Sequence, residues 1–306
     1  MTTVAASWSA MGTCATIRLV GGGHADLVEA RWLIEWLEDR WSRFRPTSEL
    51  NQINEHAGCA VPVSADTAAL VDDAVAWWRA TGGRFDPTVL GAVQDAGYVR
   101  SFEEGPGPIG AGLPVPGCAG VTVDRTTSTV RVPTGIGLDL GGIGKGRAVD
   151  VVVDALATDA AGGVVDLGGD LRVWGRAPAG APGWAIAVED VRNGRQAALL
   201  GLASGAVATS TVLRRCWQVG ERRAHHLIDP AAGRPADGEL VAVTVVAGEA
   251  TGAEVLAKAA LIAGTTAGAA ELLEEAEVAG LLFAAHGAPV PIGGFERLCW
   301  TMAEAA

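Results

Sequence analysis

The stretch Leu138-Asp-Leu-Gly-Gly-Ile-Gly-Lys-Gly-Arg147 sets four glycines, Gly141, Gly142, Gly144 and Gly146, around a single lysine, Lys145. Glycine lets backbone N–H groups come close to a ligand, and a helix starting just after such a turn offers its positive end to an anion. Lys145 adds a point charge. A phosphate-bearing ligand suits this pattern; a plain tight turn is the alternative on spacing alone. The stretch is not a P-loop, because no Ser or Thr follows the lysine and the spacing differs. It is not the dinucleotide fingerprint of glycines either.

Other residues carry possible chemistry. His225 and His226 sit in Ala-His-His-Leu-Ile-Asp-Pro230. A histidine on a strand can act as general base, general acid or ligand positioner, or can simply be hydrogen-bonded within a sheet. Asp86, in Phe-Asp-Pro-Thr, and Asp139 stand beside turns, where carboxylates commonly act as caps. Thr209-Ser210-Thr211 is a hydroxyl run at a strand end, where ordinary edge polarity is the plain alternative. Thr251-x-x-Glu254 has the form of a capping box, and Glu254 with Lys258 has the favourable i,i+4 order for a helix-surface pair.

Regular elements must position these residues. The apolar run ending in Leu140 reads as a buried strand, and Ala148–Leu156 as the helix after the glycine turn. Ala5–Val20 alternates as a first strand, with Met11-Gly12-Thr13 inside it. Asp26–Trp41 has helical spacing, with Trp32 and Trp36 as an i,i+4 aromatic pair expected in the core. Pro46 stops that helix, and Ser48 is placed to cap a short one. Ser64 caps a further helix running through Trp78 and closed by Gly82-Gly83. Residues 103–118 read as a loop, and residues 121–132 as a hairpin.

Farther on, Asp166-Leu-Gly-Gly169 repeats the letters of residues 139–142 and hints at duplicated halves. Short strands follow near 184–188, 197–202, 207–209 and 224–227, with a stronger one at Val241–Ala247. Helices near 252–263 and 267–275 and a strand at Leu281–Ala285 complete the pattern. Strands and helices mix without strict βαβ alternation, which predicts an α+β fold.

The chain has 306 residues, 49% of them hydrophobic, enough for a sizeable core. The net charge of −12, with no block of Lys and Arg, argues against nucleic acid as a partner. Five widely spaced cysteines, without metal-binding pairs, predict reduced and mostly buried thiols. No targeting signature opens the sequence and no apolar run is long enough to span a bilayer. The expectation is a cytoplasmic protein.

Taken in order, several segments resemble the FAD:protein FMN transferase (ApbE) family. They begin with Met11-Gly-Thr13, Ser42-Arg-Phe44 with Ser48-Glu-Leu50 and Asn54, and Gly83-x-Phe-Asp-Pro-Thr-Val89. The glycine stretch with Asp150, Asp166-Leu-Gly-Gly-Asp170 and Ala208-Thr-Ser210 follow. His226-x-x-Asp-Pro230 with Gly233, and Val243-Thr-Val245 ahead of Ala253, close the series. The resemblance implies an α+β fold of mixed and antiparallel sheets with flanking helices, one domain over residues 1–306 whose two similar, intertwined halves form an FAD cleft. It implies cleavage of the FAD pyrophosphate and transfer of FMN to a Thr or Ser hydroxyl of an acceptor flavoprotein, with release of AMP. An FAD-binding module without transfer, and hydrolysis of FAD to FMN and AMP, are the alternatives. The implied FAD contacts are Met11, Phe85, Asp86, Asp139, Gly141, Gly142, Lys145, His226, Leu227, Ile228 and Lys258, with His226 as the base for the acceptor hydroxyl.

The resemblance also implies magnesium across the phosphates, and here the chain departs from the family pattern. Ala-Asp-x-x-(Ser or Ala)-Thr is replaced by Ala253-Glu254-Val-Leu-Ala-Lys258. A charged lysine has no lone pair to give a metal. Two outcomes follow. Lys258 replaces part of the metal's charge, pairing with Glu254 and the pyrophosphate; or Glu254 and the Gly142 carbonyl still hold a loosely bound ion. The first is the expectation.

Overall fold

The computed structural model describes residues 1–178, 180–219 and 221–301. The chain starts with a hairpin. β1 (Thr3–Ala10) and β2 (Thr13–Val20) pair antiparallel from Thr3↔Val20 to Ala10↔Thr13. Met11 and Gly12 form the two-residue turn, both with positive φ, as a type I′ hairpin turn requires. The single strand expected over Ala5–Val20 is therefore two, because the alternation runs through a turn too short to interrupt it.

Six more strands extend this hairpin: β3 (Gly162–Leu167), β4 (Asp170–Gly175), β5 (Gly205–Thr211), β6 (Leu240–Ala247), β7 (Ala279–Ala284) and β8 (Val290–Ile292). Among the described residues they make an eight-stranded sheet in sequential order, each neighbour antiparallel. Residues 21–161 leave the sheet between β2 and β3. They carry α1 (His24–Trp41), α2 (Glu49–Glu55), α3 (Ala65–Ala80), α4 (Leu90–Asp95) and α5 (Gly144–Leu156). α6 (Ala250–Ile262) and α7 (Thr266–Glu275) fall between β6 and β7. The α+β expectation holds.

Both faces of the sheet are covered, and β6 and β7 are apolar almost throughout. Ala206 and Ala208 of β5 and Val243 and Val245 of β6 join the core beneath the helices. Their alternates Val207, Ala242 and Val246 pack on the other side with Trp184, Leu200 and Phe295. That second core is roofed by the hairpin of Trp184–Asp190 and Arg195–Leu202. Ser48 and Ser64 cap α2 and α3 as their positions predict, accepting from Asn51 N and Thr67 N. α1 buries Leu27, Ala30, Ile34, Leu37 and Trp41. Trp32 is not core: it is 60% exposed and stacks on Trp36 with ring centres 6.2 Å apart.

The run ending in Leu140 is buried but is not a strand. Its backbone bonds go elsewhere. Leu138 N donates to Asn54 Oδ1 at 2.7 Å, Asn54 Nδ2 returns a bond to the Leu138 carbonyl at 2.9 Å, and Asp139 N donates to the Pro87 carbonyl at 2.7 Å. The two Asp-Leu-Gly-Gly stretches thus serve different geometries. The first leads irregular chain into α5, and the second crosses from β3 to β4 through Gly168 and Gly169, both with positive φ. The cysteines are free, but Cys118 alone of the five is fully buried; Cys14 and Cys59 are exposed. Among the described residues no helix is long and apolar enough to cross a membrane.

Candidate active site

α5 and α6 cross closely where the glycine turn meets the α6 N-terminus. A Cβ on Gly146 would lie 2.4 Å from the Ala250 carbonyl oxygen, inside van der Waals contact with backbone. Gly146→Ala is therefore expected to lower stability by about 1–3 kcal/mol, read as a lower denaturation midpoint. Asp150, buried on α5, fixes the crossing. It accepts from Ala250 N at 2.9 Å, Thr251 N at 2.8 Å and Thr251 Oγ1 at 2.6 Å, and pairs with Arg172 at 3.0 Å. These are orphan donors of the first turn of α6. Thr251 does not open a capping box with Glu254, because α6 starts earlier, with Glu249 at its N-cap, and the Thr251 hydroxyl is bound to Asp150.

The crossing sets Glu254 and Lys258 on the floor of a cavity of about 760 Å³. The cavity is bounded by the Met11–Gly12 turn, the glycine turn, the β3–β4 turn and the end of β5 at Thr209–Thr211. One side is apolar and aromatic, with Phe44, Tyr98 and Phe102 among its residues. There the Arg43 guanidinium lies 4.2 Å from the centre of the Phe44 ring and 4.4 Å from that of Tyr98. Arg43 Nε also donates to Asp139 Oδ2 at 2.9 Å, and Asp139 Oδ1 accepts from Gly141 N at 2.8 Å.

The opposite end is charged. Lys145 Nζ contacts Asp170 Oδ2 and lies 2.9 Å from Glu254 Oε1, and Gly146 N donates to Glu254 Oε2 at 2.7 Å. Lys145 is thus one ammonium shared by two buried carboxylates. It still lines the cavity, where its point charge is partly offset by these partners. The turn also uses much of its own polarity: besides Gly141 N and Gly146 N, Gly144 N is bound to the Leu140 carbonyl at 2.8 Å. Asp166, near Lys145, is pushed above the usual carboxylate range by burial.

Lys258 forms no ion pair with Glu254 despite the i,i+4 spacing; Glu254 turns to Lys145 instead. Its ammonium packs over Gly142, where a Cβ would stand 2.6 Å from Nζ and 2.7 Å from Cδ. The Phe85 ring centre is 5.8 Å from Nζ. Burial lowers the Lys258 pKa, while Asp139 and Glu254 act to raise it.

His226 lines the cavity, with Tyr98 edge-on at 6.4 Å. Burial, then the positive charges of Arg215 and Lys258, hold it well below 6.5. Its buried Nδ1 has no hydrogen-bond partner among the described residues. Such an atom calls for an explanation, and a ligand is one. His225 also has a buried Nδ1 without a partner among the described residues, but it is not in the cavity lining, and its Nε2 lies against the Ala236 carbonyl at 3.0 Å.

The structure therefore brings Met11, Asp139, Gly141, Gly142, Lys145, His226, Leu227, Glu254 and Lys258 to one cavity. Phe85, Asp86 and Ile228 stand behind its wall. Phe85 and Ile228 are each 1% exposed, and Asp86 is buried, accepting from Thr88 N at 2.7 Å and Thr88 Oγ1 at 2.6 Å. Arg43 and Asp170 were not foreseen as site residues. Both lie inside motif stretches, but their partners, Asp139 and Lys145, are distant in sequence.

The donor set does not fit magnesium. Both Glu254 oxygens already accept from nitrogen donors, and the neighbouring position that would complete a site carries an ammonium. Among the described residues no group of three or more His, Cys, Asp or Glu is placed to hold a metal ion.

Comparison with known proteins agrees with this architecture. The sequence profile of the ApbE family matches residues 11–282. A protein of Vibrio cholerae named FAD:protein FMN transferase is 31% identical over 228 residues, covering 70% of this chain and 66% of its own. One of the same name from Treponema pallidum is 30% identical over 259 residues, covering 78% of this chain and 71% of its own. The crystal structure of the ApbE protein of Thermotoga maritima superposes with a TM-score of 0.88 at 29% identity, covering 98% of this chain and 100% of its own. The flavin transferase ApbE of Vibrio cholerae gives 0.80 at 27% identity, covering 97% and 99%. With its β2–β6 strands, its α5–α6 crossing and the glycine turn inside residues 11–282, the chain belongs to the ApbE family of flavin-transferring enzymes.

Proposed function

We propose that this cleft binds FAD and transfers its FMN half to a Thr or Ser hydroxyl of an acceptor protein, releasing AMP. One observation carries the reading: a single cavity combines a charged end with an unpartnered imidazole that burial keeps neutral. The aromatic side suits a planar ring, and the charged end suits a diphosphate. The acceptor oxygen forms a bond to the phosphorus of the FMN half. The bond from that phosphorus to the bridging oxygen breaks, and AMP leaves with the electron pair. The hydroxyl proton passes to the His226 imidazole, which is in the neutral form that can accept it. Arg43 is positioned by Asp139 to pack against the aromatic wall.

This role has a pH signature. Burial disfavours the imidazolium, so the base form of His226 persists through neutrality and is lost only in acid. The rate is expected to be flat at and above neutral pH and to fall with an apparent midpoint below 6.5. A midpoint at or above that value contradicts His226 as the base.

The functional test incubates the protein with FAD and an acceptor flavoprotein domain. Flavin fluorescence on the denatured acceptor band, with equimolar AMP, is the predicted result. Free FMN with AMP indicates water as the acceptor, and retained intact FAD indicates a binding module; either overturns the transfer reading.

A further inference from the structure

We propose that Lys258 is a built-in counter-cation for the flavin diphosphate, so that FAD binds this cleft without a divalent metal ion. The inference rests on the FAD reading above and deepens it.

Three observations support it. The first is the pairing of charges in the cleft. Arg43 is paired with Asp139, Lys145 with Asp170 and Glu254, and Arg214 with Glu189. Arg215 is anchored on the Gly12 carbonyl at 3.1 Å, at the solvent side of the hairpin turn. Lys258 has no carboxylate within ion-pair distance among the described residues, although it lies in the cleft floor.

The second is the balance of the charged end. Lys145 with two carboxylates carries a net charge of −1, which by itself repels an anion. Lys258 offsets one of the carboxylates of this end, which Asp166 also lines, and presents a compact ammonium to an incoming phosphate.

The third is steric. The ammonium occupies space that any side chain at position 142 would fill, 2.6 Å from the Cβ site. The Gly142 turn thus accommodates the lysine as well as leaving backbone open. A half-buried ammonium without a partner is unfavourable until an anion arrives, and that arrival compensates it.

The test is a titration of FAD into the purified protein, followed by flavin fluorescence, in EDTA and again in excess magnesium chloride. Equal affinity under the two conditions is expected. Lys258→Met is expected to weaken FAD binding about 30-fold or more under both, with a thermal melt confirming the fold. Gly142→Ala keeps the charge but displaces it, and is expected to weaken binding in the same direction. Isothermal titration of magnesium alone into the protein should show no saturable heat.

A tenfold gain in FAD affinity on adding magnesium to the wild-type protein overturns the proposal, as does wild-type affinity in Lys258→Met. Those results leave FAD as the ligand and remove only the role of Lys258. Absence of FAD binding under both conditions overturns this proposal and the FAD reading together.

Discussion

Replacing Asp150 by alanine is expected to destabilise the protein by about 3–5 kcal/mol, the range for breaking a buried, hydrogen-bonded charge pair. The residue is 3% exposed and serves four groups at once. Without it, Ala250 N and Thr251 N at the start of α6 lose their acceptor in a buried setting, and each such loss costs about 1–3 kcal/mol. Among the described residues Arg172 then keeps the ion pair with Asp154, an exposed partner at 3.4 Å. The effect should not stop at stability. α6 carries Glu254 and Lys258, so a frayed first turn loosens the cleft floor. Urea denaturation should show a lower midpoint at unchanged slope. Asp150→Asn, which retains one acceptor oxygen, should fall between the two. A change below about 1 kcal/mol for Asp150→Ala, the scale of an ordinary surface substitution, would contradict the role assigned to it.

His226→Gln is expected to lower the rate of flavin transfer by about 10²–10⁴-fold, the usual contribution of a positioned general base. FAD affinity should stay close to that of the wild-type protein, because the charged end of the cleft is untouched. The split matters: a structural role would move affinity and melting temperature along with the rate. His226 has the required properties together. It lines the cavity, its Nδ1 is unpartnered and its environment keeps it neutral. His225, one residue away, is bound to the Ala236 carbonyl, so His225→Gln should leave the rate within a few fold of wild type. Single-turnover measurements with FAD-loaded protein and a saturating acceptor would separate the two histidines.

The residues of the cleft were more legible in the sequence than the way they are connected. Helix boundaries set by Ser48 and Ser64 could be read because a capping hydroxyl acts within three residues of its own position. The hairpin at Met11 was hidden because a two-residue turn leaves the alternation of its strands intact. The run ending at Leu140 looked like a strand because burial alone makes apolar letters, and periodicity cannot show that Asn54 takes the backbone bonds. Trp32 had helical spacing with Trp36 but faces solvent, since an i,i+4 pair records a shared helix face and not which way that face points.

Glu254 is the sharpest case. Local spacing assigned it to Lys258, yet it binds Lys145 and Gly146 N from another helix. The partner that prevails is 109 residues away and visible only once α5 and α6 cross. Long-range pairing of the same kind hides the roles of Arg43 and Asp170 from the sequence. Each is defined by a partner brought near by the fold, Asp139 in one case and Lys145 in the other.

A crystal structure of the protein grown with FAD, in EDTA, tests the central claim most directly. The account predicts the diphosphate at the charged end of the cleft, over the Gly141–Gly144 turn and within hydrogen-bonding distance of Lys258 Nζ, with the flavin ring toward Phe44 and Tyr98. An FAD bound elsewhere, or one whose diphosphate leaves Lys258 untouched, would contradict it.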